Sequence, residues 1–376
     1  MTRVGRRWTA AFGLLLTTTA CGSSDTPDAG TDVGPIERPP TLESEFTPVE
    51  LEETVDRLLA VINEGTIEPM HMVVLLKNLD TFFEPIATGA SRAMGELGVT
   101  GNVLGPTDQS PDDSTTSQDL QNQQIEQAVA GGAEGIGVSP YGDVNAAAVD
   151  KAVASGAHVV TLDTDVAASK RSLYVGVINT SVGATAANTL IAMLPPPPGT
   201  VIVHGNTGAD WVDGYARTQG AREVIQAAGY APVVSEAAFA AGEDVDIDYM
   251  KQNIATANPP VVGMVGLFNI SYRCVMGADA AGIPDVPIVA FDFDPRTVDY
   301  MRQGRIKATH TQRQYYEGYL VPYILYGIKT IGLDATREIL GPLMDGDSRV
   351  NIGLDVVPFD KIDAYNAFLD EIGAGQ

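Results

Sequence analysis

Basic residues are scarce in this chain. It carries 23 lysines and arginines against 48 aspartates and glutamates, a formal charge of −25. A phosphate backbone needs a basic face, so nucleic acid is excluded as a partner. Cysteine is nearly absent. Two residues, Cys21 and Cys274, cannot make a disulfide scaffold or a Cys-rich zinc site. His71, His158, His204 and His310 lie far apart, with no His-x-x-x-His pair. A Gly-x-Ser-x-Gly elbow, a Walker motif and a calcium loop built around glycine are also missing. No cofactor, metal or catalytic residue is therefore expected. Beyond the N-terminus no run of about 18 apolar residues occurs, so no transmembrane helix is expected there.

What is present begins with an export signal. Arg3, Arg6 and Arg7 precede an apolar stretch over 8–16 and small residues over 17–20, so 1–20 reads as a signal peptide. Cys21 follows at once, and Leu-Thr-Thr-Thr-Ala-Cys resembles a bacterial lipobox with Thr18 where leucine is usual. Cys21 is the expected lipid anchor, since two or three acyl chains hold a protein at a bilayer. Residues 21–47 are rich in Gly, Ser, Asp, Pro and Thr and read as a disordered tether. Over 48–69, Val49, Leu51, Val55, Leu58, Leu59 and Ile62 have helical spacing, which predicts a short helical lead-in.

The remaining chain is 44% hydrophobic over its full length, and 376 residues suit two domains. Apolar, strand-like runs cover 72–76, 102–104, 135–138, 158–162, 173–177, 200–204, 232–235, 261–265, 287–291 and 306–309. Helical stretches lie between most of them. That alternation predicts an α/β fold with doubly wound parallel sheets. About ten strands suit two sheets, and a (β/α) barrel is the rival on count alone.

In such folds a ligand sits beyond the carboxyl ends of the strands. The residues there form a polar and aromatic set: Asp80, Phe82 and Phe83; Ser139; Asp163 and Asp165; Trp211; Asn269; Asp292; and Gln312. Thr81 and Glu84 have capping-box spacing, which would put Phe82 and Phe83 in the first turn of a helix. Asp294-Pro295 reads as a helix cap. Carboxylates and amides match the paired donor and acceptor of each sugar hydroxyl, and aromatic faces match its C–H surface. Cys274 reads as a buried helix residue and not a nucleophile.

At these residues the chain resembles the type I periplasmic binding proteins of the ribose-binding class, the solute receptors of ABC sugar importers. Lys77-Asn78-Leu79-Asp80-Thr81-Phe82-Phe83 is similar to that family's Asn-Pro-Phe-Phe/Trp motif. Further matches are Gly135 to Pro140, Val160 to Asp165 with Ser169-Lys170-Arg171, Arg217 in Arg-x-x-Gly spacing, Phe268-Asn269, Ala290-Phe291-Asp292 and Thr309 to Gln312. They run in the family's order over about 70–335. The resemblance implies two lobes joined by a three-segment hinge, with crossings near Asn179, Gln312 and 345–351. The first lobe would be 70–178 plus 312–345, the second 179–311 plus 346–376.

The resemblance also implies roles. Phe82 and Phe83 would sandwich the sugar ring. Asp80, Ser139, Asp163, Asn269, Asp292 and Gln312 would bond hydroxyls, and Arg217 the ring oxygen or a hydroxyl. Two departures stand out. Thr164 and Asp165 follow Asp163 where arginine is common, which makes the pocket more acidic, with Arg217 as its main cation. The aromatic of the second lobe has no clear match near Gly242, and Trp211 or Phe268 would replace it. The expected ligand is a monosaccharide or polyol, captured by a monomer that meets the membrane only through its lipid. The expected partner is an ABC permease or a sensor protein. A glycoside-active enzyme is the distant rival, because Asp163/Asp165 and Asp292/Asp294 could act as carboxylate pairs.

Overall fold

The computed structural model describes residues 34–79, 82–106, 114–239 and 241–375. The signal peptide, Cys21, residues 21–33 and Asp80 lie outside that set. The first half of the chain runs α1 (Val49–Ile62), β1 (His71–Leu75), α2 (Glu84–Glu96), β2 (Thr100–Leu104), α3 (Ser114–Ala130), β3 (Gly135–Val138), α4 (Ala146–Ala154), β4 (His158–Leu162) and β5 (Leu173–Gly176). The next stretch repeats the alternation. It runs α5 (Asn179–Ile191), β6 (Thr200–Gly205), α6 (Val212–Ala227), β7 (Ala231–Glu236), α7 (Glu243–Thr256), β8 (Val261–Gly266), α8 (Arg273–Ala280), β9 (Ile288–Phe291), α9 (Pro295–Arg302) and β10 (Ile306–Thr311). The chain closes with α10 (Gln314–Ile331), α11 (Leu333–Ile339), β11 (Met344–Asp345), β12 (Arg349–Asn351), β13 (Asp355–Pro358) and α12 (Ile362–Glu371).

The strands form two sheets, which excludes the barrel. One has the order β11-β12-β5-β4-β3-β1-β2, the other β13-β10-β9-β8-β6-β7. Within each, five consecutive strands follow the same doubly wound order, with the switch between β1 and β3 and between β6 and β8. All pairings are parallel except β11 on β12 and β13 on β10. Strand β1 shows why both faces must be covered. Met72 and Val74 join the larger core, while Val73 and Leu75 point into a second core with Ile125 and Val149.

Each lobe carries one very close helix crossing, made possible by a pair of glycines. A Cβ on Gly89 of α2 or Gly318 of α10 would overlap a carbonyl of the opposite helix. Gly183 of α5 and Gly220 of α6 do the same in the second lobe. The second crossing brings Arg217, on α6, to Asn179 at the start of α5.

Three expectations change. β12 pairs with β5, so 346–351 belong to the first lobe and the third crossing follows Asn351. The capping-box reading of α2 fails. Its N-cap is Phe83, which makes no side-chain cap bond, with Pro85 in the first turn, so the helix starts at Glu84 and both phenylalanines precede it. Within 21–47, residues 34–47 are not a tether, because Ile36 is buried in the core and Arg38 is held in a polar network. The Asp294 cap does form: its Oδ1 accepts from the Arg296 N–H at 2.8 Å. Cys274 is buried in α8, and burial pushes its thiol pKa up. No helix among the described residues is long and apolar enough to cross a membrane.

Candidate ligand-binding site

The carboxyl ends of the two sheets face each other across the hinge. On the first-lobe side the centre is Asp163, at the end of β4. Its backbone is left-handed, with φ 61°. That conformation is uncommon outside glycine and costs of order 1–3 kcal/mol. Surrounding bonds fix it. The Asp163 N–H donates to Glu317 Oε1 at 2.7 Å, and its carbonyl accepts from the Tyr174 hydroxyl at 3.0 Å. Asp163 Oδ2 accepts from Lys77 Nζ at 2.7 Å and Ser139 Oγ at 2.8 Å. Lys77 also donates to Thr164 Oγ1 at 2.6 Å. Burial pushes the Glu317 pKa well up, and neighbouring Asp163 adds to the shift.

Asp292, at the end of β9, is the counterpart in the second lobe. It too is left-handed, with φ 63°. Gln312 Nε2 donates to its Oδ1 at 2.8 Å, and the Asn269 backbone also donates to it. Burial raises its pKa to about 6, against the opposing pull of Arg217 and Gln312. Asp163 of the facing lobe contributes to that rise, so the lobes are close at this point.

Arg217 is buried, and burial pushes its pKa down while Asp292 and Asp213 oppose the shift. Its Nε and Nη2 donate to Asn179 Oδ1 at 3.0 and 2.8 Å. Nη1 donates to the Leu267 carbonyl at 3.0 Å and Nη2 to Gln312 Oε1 at 2.8 Å. Those bonds occupy four of its five N–H groups. Arg217 thus staples the first crossing, at Asn179, to the second, at Gln312. Its plane also lies 4.3 Å from the Phe291 ring centroid.

Asp213 completes the polar centre and was not in the sequence reading. Asn179 Nδ2 donates to its Oδ1 at 2.9 Å. Its Oδ2 is buried and has no partner of good hydrogen-bond geometry among the described residues, with the Thr164 hydroxyl a further donor near the carboxylate. Burial raises its pKa; Lys77 is the strongest opposing influence, and the Thr164 hydroxyl and Arg217 also oppose the rise. A poorly satisfied buried acceptor carries a cost that a well-placed hydroxyl donor would remove.

The aromatic residues divide into two groups. Trp211, at the N-cap of α6, stacks on Phe268 with centroids 4.6 Å apart and planes at 30°. Phe239 meets both rings, at 5.6 and 5.4 Å. Phe239 was not among the residues singled out from the sequence. Phe82 and Phe83 stand at 78° with centroids 5.0 Å apart. They cannot sandwich a sugar ring between them, since perpendicular rings in contact leave no slot. Phe83 is buried under Lys77, whose Nζ lies 5.9 Å from its centroid, and Phe82 is half-buried.

Asp165 does not join the site. Arg171 Nε and Nη2 bond its two oxygens at 2.5 and 2.6 Å, and Thr161 adds a third bond at 3.0 Å. It is a paired structural carboxylate of the first lobe. Lys77 also corrects the view of Arg217 as the main cation, because it supplies the positive charge of the first lobe. Ser139, Asp163, Asn269, Asp292, Gln312 and Arg217 lie around this polar centre.

A family model described as a periplasmic binding protein domain matches residues 72–333. The chain belongs to that family. Membership makes it an extracytoplasmic solute receptor and not an enzyme, which removes the glycoside-active rival. Solved structures share the fold at low identity. A periplasmic ribose ABC transporter protein from Conexibacter woesei is 18% identical with a TM-score of 0.67, over 81% of this chain and 96% of its own. AraP, an arabinose-binding protein from Geobacillus stearothermophilus, is 22% identical with a TM-score of 0.65, over 79% and 99%. A chain of the XylFII-LytSN complex is 20% identical with a TM-score of 0.59, over 78% and 99%.

Proposed function

We propose that this receptor captures a small sugar or polyol between its lobes and hands it to an ABC importer. The observation that carries the reading is the convergence of Asp163, Asp213, Asn269 and Asp292 from both lobes, with Asp213 Oδ2 buried. The aromatic trio at Trp211 supplies an apolar face beside that polar centre. Excess carboxylate disfavours phosphorylated or carboxylated ligands. Ligand names attached to similar folds, ribose and arabinose, support the class. A second reading, in which the closed lobes signal to a partner protein, draws on the relative found in complex with LytSN. Export by the 1–20 signal peptide, lipid anchoring through Cys21 and a monomeric state belong to the same proposal.

The test is a thermal-shift screen of the purified protein against pentoses, hexoses and polyols. A ligand at 100 times its Kd stabilises by about 2.7 kcal/mol, a rise of roughly 5–10 °C for lobes of this size. Asp213→Asn should weaken binding of the hit by about ten- to a hundredfold, the value of a charge-assisted bond. A folded protein that answers none of these compounds would end the sugar reading.

A further inference from the structure

Residues 34–48 do more than lead into α1. They touch both lobes. The upstream half is locked to the first lobe. The Ile36 N–H donates to Asn63 Oδ1 at 2.8 Å, and Asn63 Nδ2 returns a bond to the Ile36 carbonyl at 3.0 Å. Arg38 Nε donates to Asp56 at 2.7 Å, and Nη2 to the Glu52 carbonyl at 3.1 Å and to Thr41 Oγ1 at 3.2 Å. Its Nη1 pairs with the Glu52 carboxylate and reaches the Tyr319 hydroxyl of α10 at 3.4 Å. The downstream half reaches the second lobe. Phe46 stands edge-on to Tyr365 at 5.1 Å and meets Phe368 at 6.0 Å. Glu45 pairs with Lys361 at 2.9 Å. Those three partners lie on or just before α12, which packs against α9 and β13 of the second lobe.

The position relative to the hinge gives this contact a role. Gln312 faces the cleft, where it bonds Arg217 and Asp292. Arg313, the next residue, faces the other way. Its Nε donates to Asp355 and its Nη1 to the Ile352 carbonyl, both at 2.8 Å, which ties the second crossing to the third. A cavity of about 260 Å³ on that side is lined by Ile178, Arg313, Ile352 and Gly353 of the crossings and by Glu50 and Leu51 of α1. The start of α1 therefore borders the hinge on the Arg313 side, and residues 34–48 lead directly into it. When the cleft opens by hinge rotation, the lobes approach each other on that outer face.

We propose that residues 34–48 form a brace across the hinge, and that Glu45 and Phe46 are positioning residues that set the balance between the open and closed arrangements. The brace is rooted in one lobe and bears on the other, so it resists opening as a wedge resists a door. Its loss moves the ligand-free equilibrium toward open by about two- to tenfold, the range expected for one aromatic contact.

The experiment reads lobe separation without ligand, so it stands apart from the sugar reading. Spin labels go on the full chain at Val144→Cys of the first lobe and Tyr249→Cys of the second, both exposed, in a Cys21→Ser background; Cys274 is buried and stays unlabelled. Pulsed dipolar spectroscopy should show longer separations than the parent for Phe46→Ala, which removes bulk from the outer face, and shorter ones for Lys361→Glu, whose like charge opposite Glu45 pushes the outer faces apart. Combining Lys361→Glu with Glu45→Lys should restore the parent distribution, which general destabilisation would not do. The charge pair is half-exposed, so its variants keep the test open if Phe46→Ala does not fold. Unchanged distributions in folded Phe46→Ala and Lys361→Glu proteins, or a charge swap that restores nothing, would overturn the brace.

Discussion

Asp163 and Asp292 are the same solution used twice. Each follows the last residue of a strand, and each has a left-handed backbone. Asp292 carries a measurable consequence. Its pKa of about 6 lies above the ~3.9 of an unfolded chain. Between those values the folded protein keeps a proton that the unfolded chain has released. Stability from this group is therefore highest below pH 4 and falls as pH rises through 6, by about 2–3 kcal/mol in all. Melting temperatures of Asp292→Asn should fall less between pH 4 and 6.5 than those of the parent; parallel curves would refute the assignment. Sugar affinity should move the opposite way and weaken below pH 6, because a protonated carboxyl gives up its charge-assisted bonds. Residues after strands were legible because the fold class says where to look. Asp213, Glu317 and Phe239 were not. Asp213 reads as an ordinary acid in a first helical turn, Glu317 as a residue inside a helix, and Phe239 as a loop aromatic.

At the scale of elements, the glycine crossings set the site. Gly183 and Gly220 let α5 and α6 approach until Arg217 can hold Asn179. Gly183→Ala would force the backbones apart. It should cost roughly 1–3 kcal/mol, as overpacking does, and weaken ligand binding as well, since Arg217 moves. A melt and a titration on that variant check both; unchanged values for each would show that the contact is not critical. Strands were readable from their apolar runs, and all ten expected runs overlap a strand. Among the three missed C-terminal strands, β11 and β12 are two and three residues long, too brief for a period to show. The 34–47 segment was misread because its composition is that of a linker. Ile36, Arg38 and Phe46 anchor it, and three anchors among polar residues leave no periodic signal.

For the whole molecule, the decisive fact is that the chain passes between lobes three times. A protease cut in the exposed turn at 345–347 should leave two fragments that still run as one species on a sizing column. Separation under native conditions would mean that the lobes depend on that turn. Doubling of the strand order was hidden in the sequence, since the two halves share no visible repeat. It becomes plain once both sheets are laid side by side.

The late position of α10 and β12 also orders events during synthesis. The first lobe starts first, yet its central helix and its β12 strand are made only after five strands of the second lobe have emerged. Domains generally fold as units once their residues are available. Here the earlier lobe must wait, holding an unfinished sheet edge at β5, until Asn351 arrives to close it.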